Sequence, residues 1–353
     1  MRKEFRYTDV RASGLPLGQE ESARVEHAAM RVASHLQGAS LHDPELLRAV
    51  ELASAALPVP VREQLITFRD EGNPGGFLLL TGLPLGSLPD TPQRTEDEPG
   101  WREVPVATLS QLMVMSMVGR SISYSDEKQG RLVQDVCPRK GAESRQENSG
   151  SVLLALHTED GFHPAPPHFI SLLCLRGDHD GVAAVVTCGI GDVLRRLDAE
   201  TIAALRRPEF RIRFSTSFFP DECPHVLSDH MPVLSGFAGS PDLCCDFNGM
   251  IPTTPRAEAA LDRLEQVVHR SLKGLVMRPG DLVIIDNRRA VHGRTSFTPR
   301  YDGRDRWLRR SFAIADLRPV IGHLGDGRSY EPVRPANRSG PAGAAGSVPE
   351  KGV

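Results

Sequence analysis

Aromatic residues are scarce in this 353-residue chain, at 5% of the total, while 32 Gly and 28 Pro run through it, so many turns and loops are expected. It has no excess charge of either sign. The 42 Lys and Arg stand against 45 Asp and Glu, which leaves no field to steer nucleic acid or an anionic membrane. No apolar run is long enough to cross a bilayer. The opening MRKEFRYTDV lacks the apolar core of a signal peptide, so a cytoplasmic protein is expected. None of the six cysteines forms a C-x-x-C pair, which argues against a structural zinc knuckle. Reduced, mostly buried thiols are expected, with Cys244 a candidate pocket residue.

The N-terminal third of the chain has helical periodicity. EESARVEHAAMRVASHL places Val25, Ala28, Ala29, Val32 and Leu36 on one face, and PELLRAVELASAAL and VREQLITFRDE continue the pattern. GGFLLLTGLP suits a buried strand, and TLSQLMVMSMVG suits a buried helix. From about residue 121 short β-type runs take over: ISYS, RLVQDV, SVLLALH, FISLLCLR, VAAVVTC, FRIRFS, DLCCDFN, GLVM, DLVIID and RRSFAIAD. Turn residues separate most of them. The pattern predicts a mainly β fold with flanking helices, a sandwich or jelly roll, and argues against a doubly wound sheet. One late helix, PRAEAALDRLEQVVHRSL, has Thr254 as its N-cap. The expected organisation is one domain over 1–330, helical over 1–120 with a β core over 121–320, and a disordered tail over 331–353. Two irregular stretches, PRKGAESRQENSGS and the segment at about 215–236, are lid candidates.

Chemistry concentrates at three places. His157 and Glu159 lie two apart at a strand end, where alternate side chains share a face. His292, in DLVIIDNRRAVHGR, is the best distant partner. Two His and one carboxylate on one face of an octahedral ion leave room for oxygen and a chelating cosubstrate, which suits Fe(II). The same donors also suit zinc in a hydrolase, and H-x-E alone recurs by chance. A jelly roll that binds a ligand without catalysis is a further alternative. Downstream, Arg306 and Arg310 are four apart, and a guanidinium grips a carboxylate through two parallel hydrogen bonds. A dicarboxylate and an amino acid would each present one. Arg294, Arg300, Arg304 and Arg309 are taken as solvated or paired at a sheet edge, and His163 and His168 as loop histidines.

HTE, DNRRAVHGR and F-x-P-R-Y-D-G-x-D-R-W-L-x-R together resemble the clavaminate synthase-like oxygenases over about residues 75–320, closest to the free amino-acid hydroxylases of the asparagine oxygenase and arginine β-hydroxylase type. The resemblance implies a double-stranded β-helix core, Fe(II), 2-oxoglutarate and O2, a small-molecule amino-acid substrate, and a place in antibiotic biosynthesis. It implies His157, Glu159 and His292 as iron ligands, Arg306 on the distal carboxylate of 2-oxoglutarate and Arg310 on the substrate carboxylate. A threonine that assists the cosubstrate aligns with Val185, and Thr187 two residues on is the candidate. Glu127 falls where the substrate amino group is held, Asn148 where a lid residue touches the substrate, and Asp246 where an acid reads the substrate side chain, with a strand-end acid in a turn with Asn248 and Gly249 as its alternative. Asp221 or Glu222 is placed on the closing lid. Cys244-Cys245-Asp246 stands where arginine hydroxylases carry D-x-D. The expected reaction is hydroxylation of a free basic amino acid, lysine or arginine-like, at C3 or C4. Asparagine or another polar amino acid, and desaturation, are the alternatives.

Overall fold

The computed structural model describes residues 4–146, 149–215, 226–325 and 328–331. The helix Gln19–His35 buries the stripe Val25, Ala28, Ala29 and Val32. Asp43 caps Pro44–Ala53 by accepting from Glu45 N, and Thr254 caps Pro255–His269 by accepting from Ala257 N. Pro105–Val118 is buried on nearly every side, as its apolar composition requires.

The strands form two main sheets. The smaller has the order Thr8–Asp9, Lys273–Val276, Ala184–Gly189, Ala290–Arg294, Leu154–His157. The larger runs Ser329–Tyr330, Arg120–Tyr124, Trp307–Ile314, Phe169–Arg176, Leu282–Asp286, Phe77–Thr81, Leu15–Pro16, with Val133–Val136 also paired to Trp307–Ile314. Strand alternation sorts the side chains into layers. Leu172, Cys174, Val283, Ile285 and Leu308 of the larger sheet meet Val185 and Leu275 of the smaller in one buried cluster, so the two sheets face each other. The outer face of the larger sheet, with Phe169, Leu173 and Ile284, packs on the helices through Val25, Leu65, Leu109 and Met113. The outer face of the smaller, with Val186, Cys188 and Val291, packs on Leu264 and Val268 of Pro255–His269. Each fully buried aliphatic side chain of these layers stabilises the fold by about 1.5–3 kcal/mol. The chain is thus mainly β with flanking helices. No helix among the described residues is long and apolar enough to cross a membrane.

Several details depart from the sequence expectations. The helical region is not separate from the β core. Thr8–Asp9 and Leu15–Pro16 pair into the two sheets beside the expected strand Phe77–Thr81. A helix at Ala199–Leu205, capped by Asp198 on Thr201 N, has no counterpart among those expectations, because seven residues carry too short a periodicity. DLCCDFN is strand only at Asp242–Leu243. Both lid candidates are partly tied down. Arg139 N donates to Ser149 O and Ser151 N to Glu143 O, while Ser228 N donates to Ile212 O and Met231 N to Phe210 O. The expected tail lies, but for Glu331, outside the described residues.

Candidate metal and substrate site

The site is built on register. Within the smaller sheet His292 sits directly opposite His157 on one side and opposite Thr187 on the other. Thr187 is opposite Lys273, and His157 forms a further bridge with Asp246. One row across the sheet therefore reads Lys273, Thr187, His292, His157, Asp246. Directly paired residues share a face, so the two imidazoles are side by side, with ring centroids 4.5 Å apart.

Glu159 completes the group. Its Oε2 lies 3.5 Å from His292 Nε2 and 4.0 Å from His157 Nε2. Its backbone N donates to Asn287 Oδ1 at 2.7 Å, and Asn287 Nδ2 donates back to Glu159 O, which locks the turn after the strand. His157 Nδ1 contacts the Ala155 carbonyl at 2.8 Å, so that nitrogen carries the proton and Nε2 offers its lone pair inward. His292 Nδ1 is buried with no partner among the described residues. One ligand atom from each residue falls in a group within 4.8 Å. Two neutral nitrogens and one carboxylate oxygen, on side chains held by the backbone, fit a divalent iron ion.

Around the group lies a second layer of charge. Arg310 donates from Nη1 to Glu159 Oε1 at 2.7 Å, and from Nη2 to Glu127 and to Gln134, with Nε on Gln134 Oε1 at 3.0 Å. Glu127 Oε2 and Asp160 Oδ2 are buried and unpartnered among the described residues. Burial opposes the charge on Glu159, but Arg310, His292 and His157 outweigh it and hold the carboxyl below the usual range. Burial raises Glu127 against the pull of Arg310, and it raises Asp160 with help from Glu127 and Glu159. Burial and the neighbouring His157 lower His292, which favours the neutral ligand form.

The Arg306 side chain is buried, with 4% of its surface exposed, and no side-chain hydrogen bond or ion pair to it is found among the described residues. A buried guanidinium with no hydrogen-bonded acid is a costly arrangement unless an anion is supplied.

The structure thus brings His157, Glu159, His292, Arg310, Glu127 and Arg306 to the space between the sheets. Thr187 is in the row, but its hydroxyl donates to Val291 O at 3.1 Å. Val185 sits opposite Arg294. Asp246 has Oδ1 accepting from Asn248 N and Gly249 N, at 2.8 and 2.9 Å. Cys244 is half-buried, packs its Sγ against Gly161 O, and burial pushes its thiol up to about 11. Asn148, Asp221 and Glu222 lie outside the described residues. Two participants had no sequence signal: Gln134, placed by its register opposite Arg310, and Asp160, held at φ 49° in the turn after Glu159. Arg309 points the other way, to Asp135 at 2.9 Å; it is paired, but buried on a central strand rather than at the expected sheet edge. His163 and His168 are both packed into the fold. Their Nδ1 atoms accept from Ala165 N and Ala315 N.

Comparison with known proteins points the same way. The model of the family "Taurine catabolism dioxygenase TauD, TfdA family" matches residues 75–312. An L-asparagine oxygenase of Streptomyces coelicolor is 41% identical over 313 residues, covering 86% of this chain and 90% of its own. A crystal structure of asparagine oxygenase with Fe(II), (2S,3S)-3-hydroxyasparagine and succinate superposes with a TM-score of 0.84 at 37% identity, covering 90% of this chain and 99% of the other. The non-haem iron oxygenase OrfP, in complex with Fe and alpha-ketoglutaric acid, superposes with a TM-score of 0.79 at 30% identity, over 90% and 99% of the two chains.

Proposed function

The chain belongs to the TauD, TfdA family and is an Fe(II)- and 2-oxoglutarate-dependent dioxygenase that hydroxylates an amino acid; within that class we propose that it acts on free L-asparagine, at C3. The observation that carries the choice is Asp246. It is one acid, bridged to His157, with one oxygen already satisfied by two backbone N–H groups. The fork of a guanidinium would find only one open carboxylate oxygen there and no second acid, because Cys244 is a neutral thiol. An amide needs only one acceptor for its NH2 group. This revises the expectation of a basic substrate in favour of its alternative, and the identity to an L-asparagine oxygenase supports the revision.

We read the two facing sheets as a double-stranded β-helix and residues 1–330 as one oxygenase domain. His157, Glu159 and His292 would hold the iron, and Arg306 the distal carboxylate of 2-oxoglutarate. When bound, iron, 2-oxoglutarate and O2 together supply an oxidant for an unactivated C–H, and 2-oxoglutarate leaves as succinate and carbon dioxide. The chain supplies position. Arg310 takes the substrate carboxylate and Glu127 its ammonium, while Asp246 receives the side-chain amide, so three points fix one C–H toward the metal group. Apolar packing between the sheets keeps bulk water from the reacting carbon. Asn148 and Asp221 are proposed to close over the substrate.

The test is incubation with Fe(II), ascorbate, 2-oxoglutarate and a panel of free amino acids, read by mass spectrometry for one added oxygen. Asparagine should be converted with stoichiometric succinate. Conversion of lysine, ornithine or arginine in preference to asparagine would overturn the substrate assignment.

A further inference from the structure

Arg294 belongs to none of these contacts. It lies two residues beyond His292 on the strand Ala290–Arg294 and therefore on the same face, opposite Val185, which lines the space between the sheets. Its side chain is buried. Nη2 donates to the Val152 carbonyl at 2.8 Å, whereas Nε is buried with no partner among the described residues. The charge that acts on it is that of Arg306. Both guanidinium carbons sit over the ring of Phe297, at 5.1 Å for Arg294 and 5.7 Å for Arg306.

Two buried guanidinium groups on one ring, with no acid between them among the described residues, repel each other and lose their hydration. A single arginine is enough to grip a carboxylate in two places. The second is understandable if the incoming anion has acceptor sites for both, and a carboxylate has about four. We infer that Arg294 is a second anchor for the distal carboxylate of 2-oxoglutarate, its Nε–H adding a charge-assisted hydrogen bond to the grip of Arg306. The inference rests on the placement of Arg306 proposed above. It makes the cosubstrate site selective for dicarboxylates through two cations, and makes one side chain serve both the strand edge at Val152 and the ligand.

The experiment is anaerobic titration of the full-length Fe(II) enzyme with 2-oxoglutarate and, separately, with pyruvate, which keeps the 2-oxo acid and lacks the distal carboxylate. Dissociation constants come from the charge-transfer absorption of the bound 2-oxo acid and from calorimetry. In the unaltered enzyme 2-oxoglutarate should bind far more tightly than pyruvate. In Arg294→Met that preference should fall about tenfold or more, with pyruvate binding unchanged within about twofold. A preference that stays within twofold of the original overturns the inference, and so does equal weakening of both acids, which would mean that Arg294 only supports the Val152 backbone. Where Arg294→Met does not fold, Arg294→Gln, which keeps a donor for Val152, is the variant to compare. Arg306→Met separates the two levels. If the preference survives there, the placement of Arg306 is wrong; if it collapses there and stands in Arg294→Met, only the role of Arg294 is wrong.

Discussion

Arg310 and Glu127 are ion-paired inside the protein, each almost fully buried, and the same guanidinium also holds the free oxygen of Glu159. These groups compensate one another's charge. An amino acid brings one carboxylate and one ammonium, the same pair of charges, so it can replace the internal partners without leaving either buried charge bare. Arg310→Ala should therefore abolish turnover and also destabilise the fold by about 3–5 kcal/mol, because two buried carboxyls, Glu127 and Glu159, lose their shared cation. Denaturant melts and succinate release report the two effects separately. A variant as stable as the parent would remove the basis for this reading.

The neighbouring residue gives the control. Arg309 faces the opposite side of the strand, where it pairs with Asp135, which also accepts from Trp307 Nε1 at 2.6 Å. Arg309→Met should cost stability on the same scale, about 3–5 kcal/mol, because Asp135 is left buried without its cation. The KM values for 2-oxoglutarate and for the amino acid should stay within about twofold in whatever fraction remains folded. A selective rise in either would place Arg309 in the site.

Loss of a ligand should be visible in the metal itself. Glu159→Ala removes the one anionic donor and frees the Arg310 contact, so bound iron after desalting should fall to a small fraction of the parent and turnover should vanish. Chelation of the parent should do the same reversibly, with Fe(II) restoring activity. Retention of stoichiometric iron in Glu159→Ala would reassign the site.

Specificity should follow the acids around Asp246. Cys244→Asp gives a D-x-D pair and should move preference toward cationic side chains, since a second carboxylate compensates the second half of a guanidinium. Asp246→Ala should lower kcat/KM for asparagine by tenfold or more, at about 1.4 kcal/mol per decade, and leave the KM for 2-oxoglutarate alone. Competition assays with asparagine, arginine and lysine decide both. No change of ranking in either variant would place the side-chain pocket elsewhere.

Stability should fall in mild acid. Burial pushes the imidazoles of His163 and His168 down to about 4. An unfolded chain protonates both near 6.5, so between about 6.5 and 4 the unfolded state binds protons that the folded state refuses. Stability should thus decline as pH drops through that window and level off below it. The loss is on the order of 2–4 kcal/mol for the pair once partial solvent screening is allowed for. His163→Phe, packed on Tyr124, should flatten part of the profile measured by urea melts across pH.

The fold class was legible because strand-length apolar runs between turn residues leave few alternatives, and the capped helix at Thr254 was legible because its N-cap and stripe are local. The spacing of His157 and Glu159 offered a candidate pair, but H-x-E recurs by chance, and the surrounding motifs were needed to single it out. Gln134 could not be found that way, because it reaches Arg310 through a strand pairing 176 residues apart in sequence. Nor could the split between Arg309 and Arg310 be read without knowing which face of Trp307–Ile314 meets the helices. Asp246 illustrates a different limit. Its sequence context allowed either an acid that reads the substrate or a strand-end acid in a turn with Asn248 and Gly249, and the structure shows that turn occupying one oxygen.

The pairing of His157 with His292 joins positions 135 residues apart. No local segment can assemble that site, so iron has nothing to bind until the smaller sheet has closed around its central strands. Once there, the ion would staple two strands that must separate for the chain to open, and the effect should appear as slower unfolding more than as faster folding. Cells short of iron would then hold a protein that is folded but shorter-lived, its turnover set by how often that one sheet comes apart.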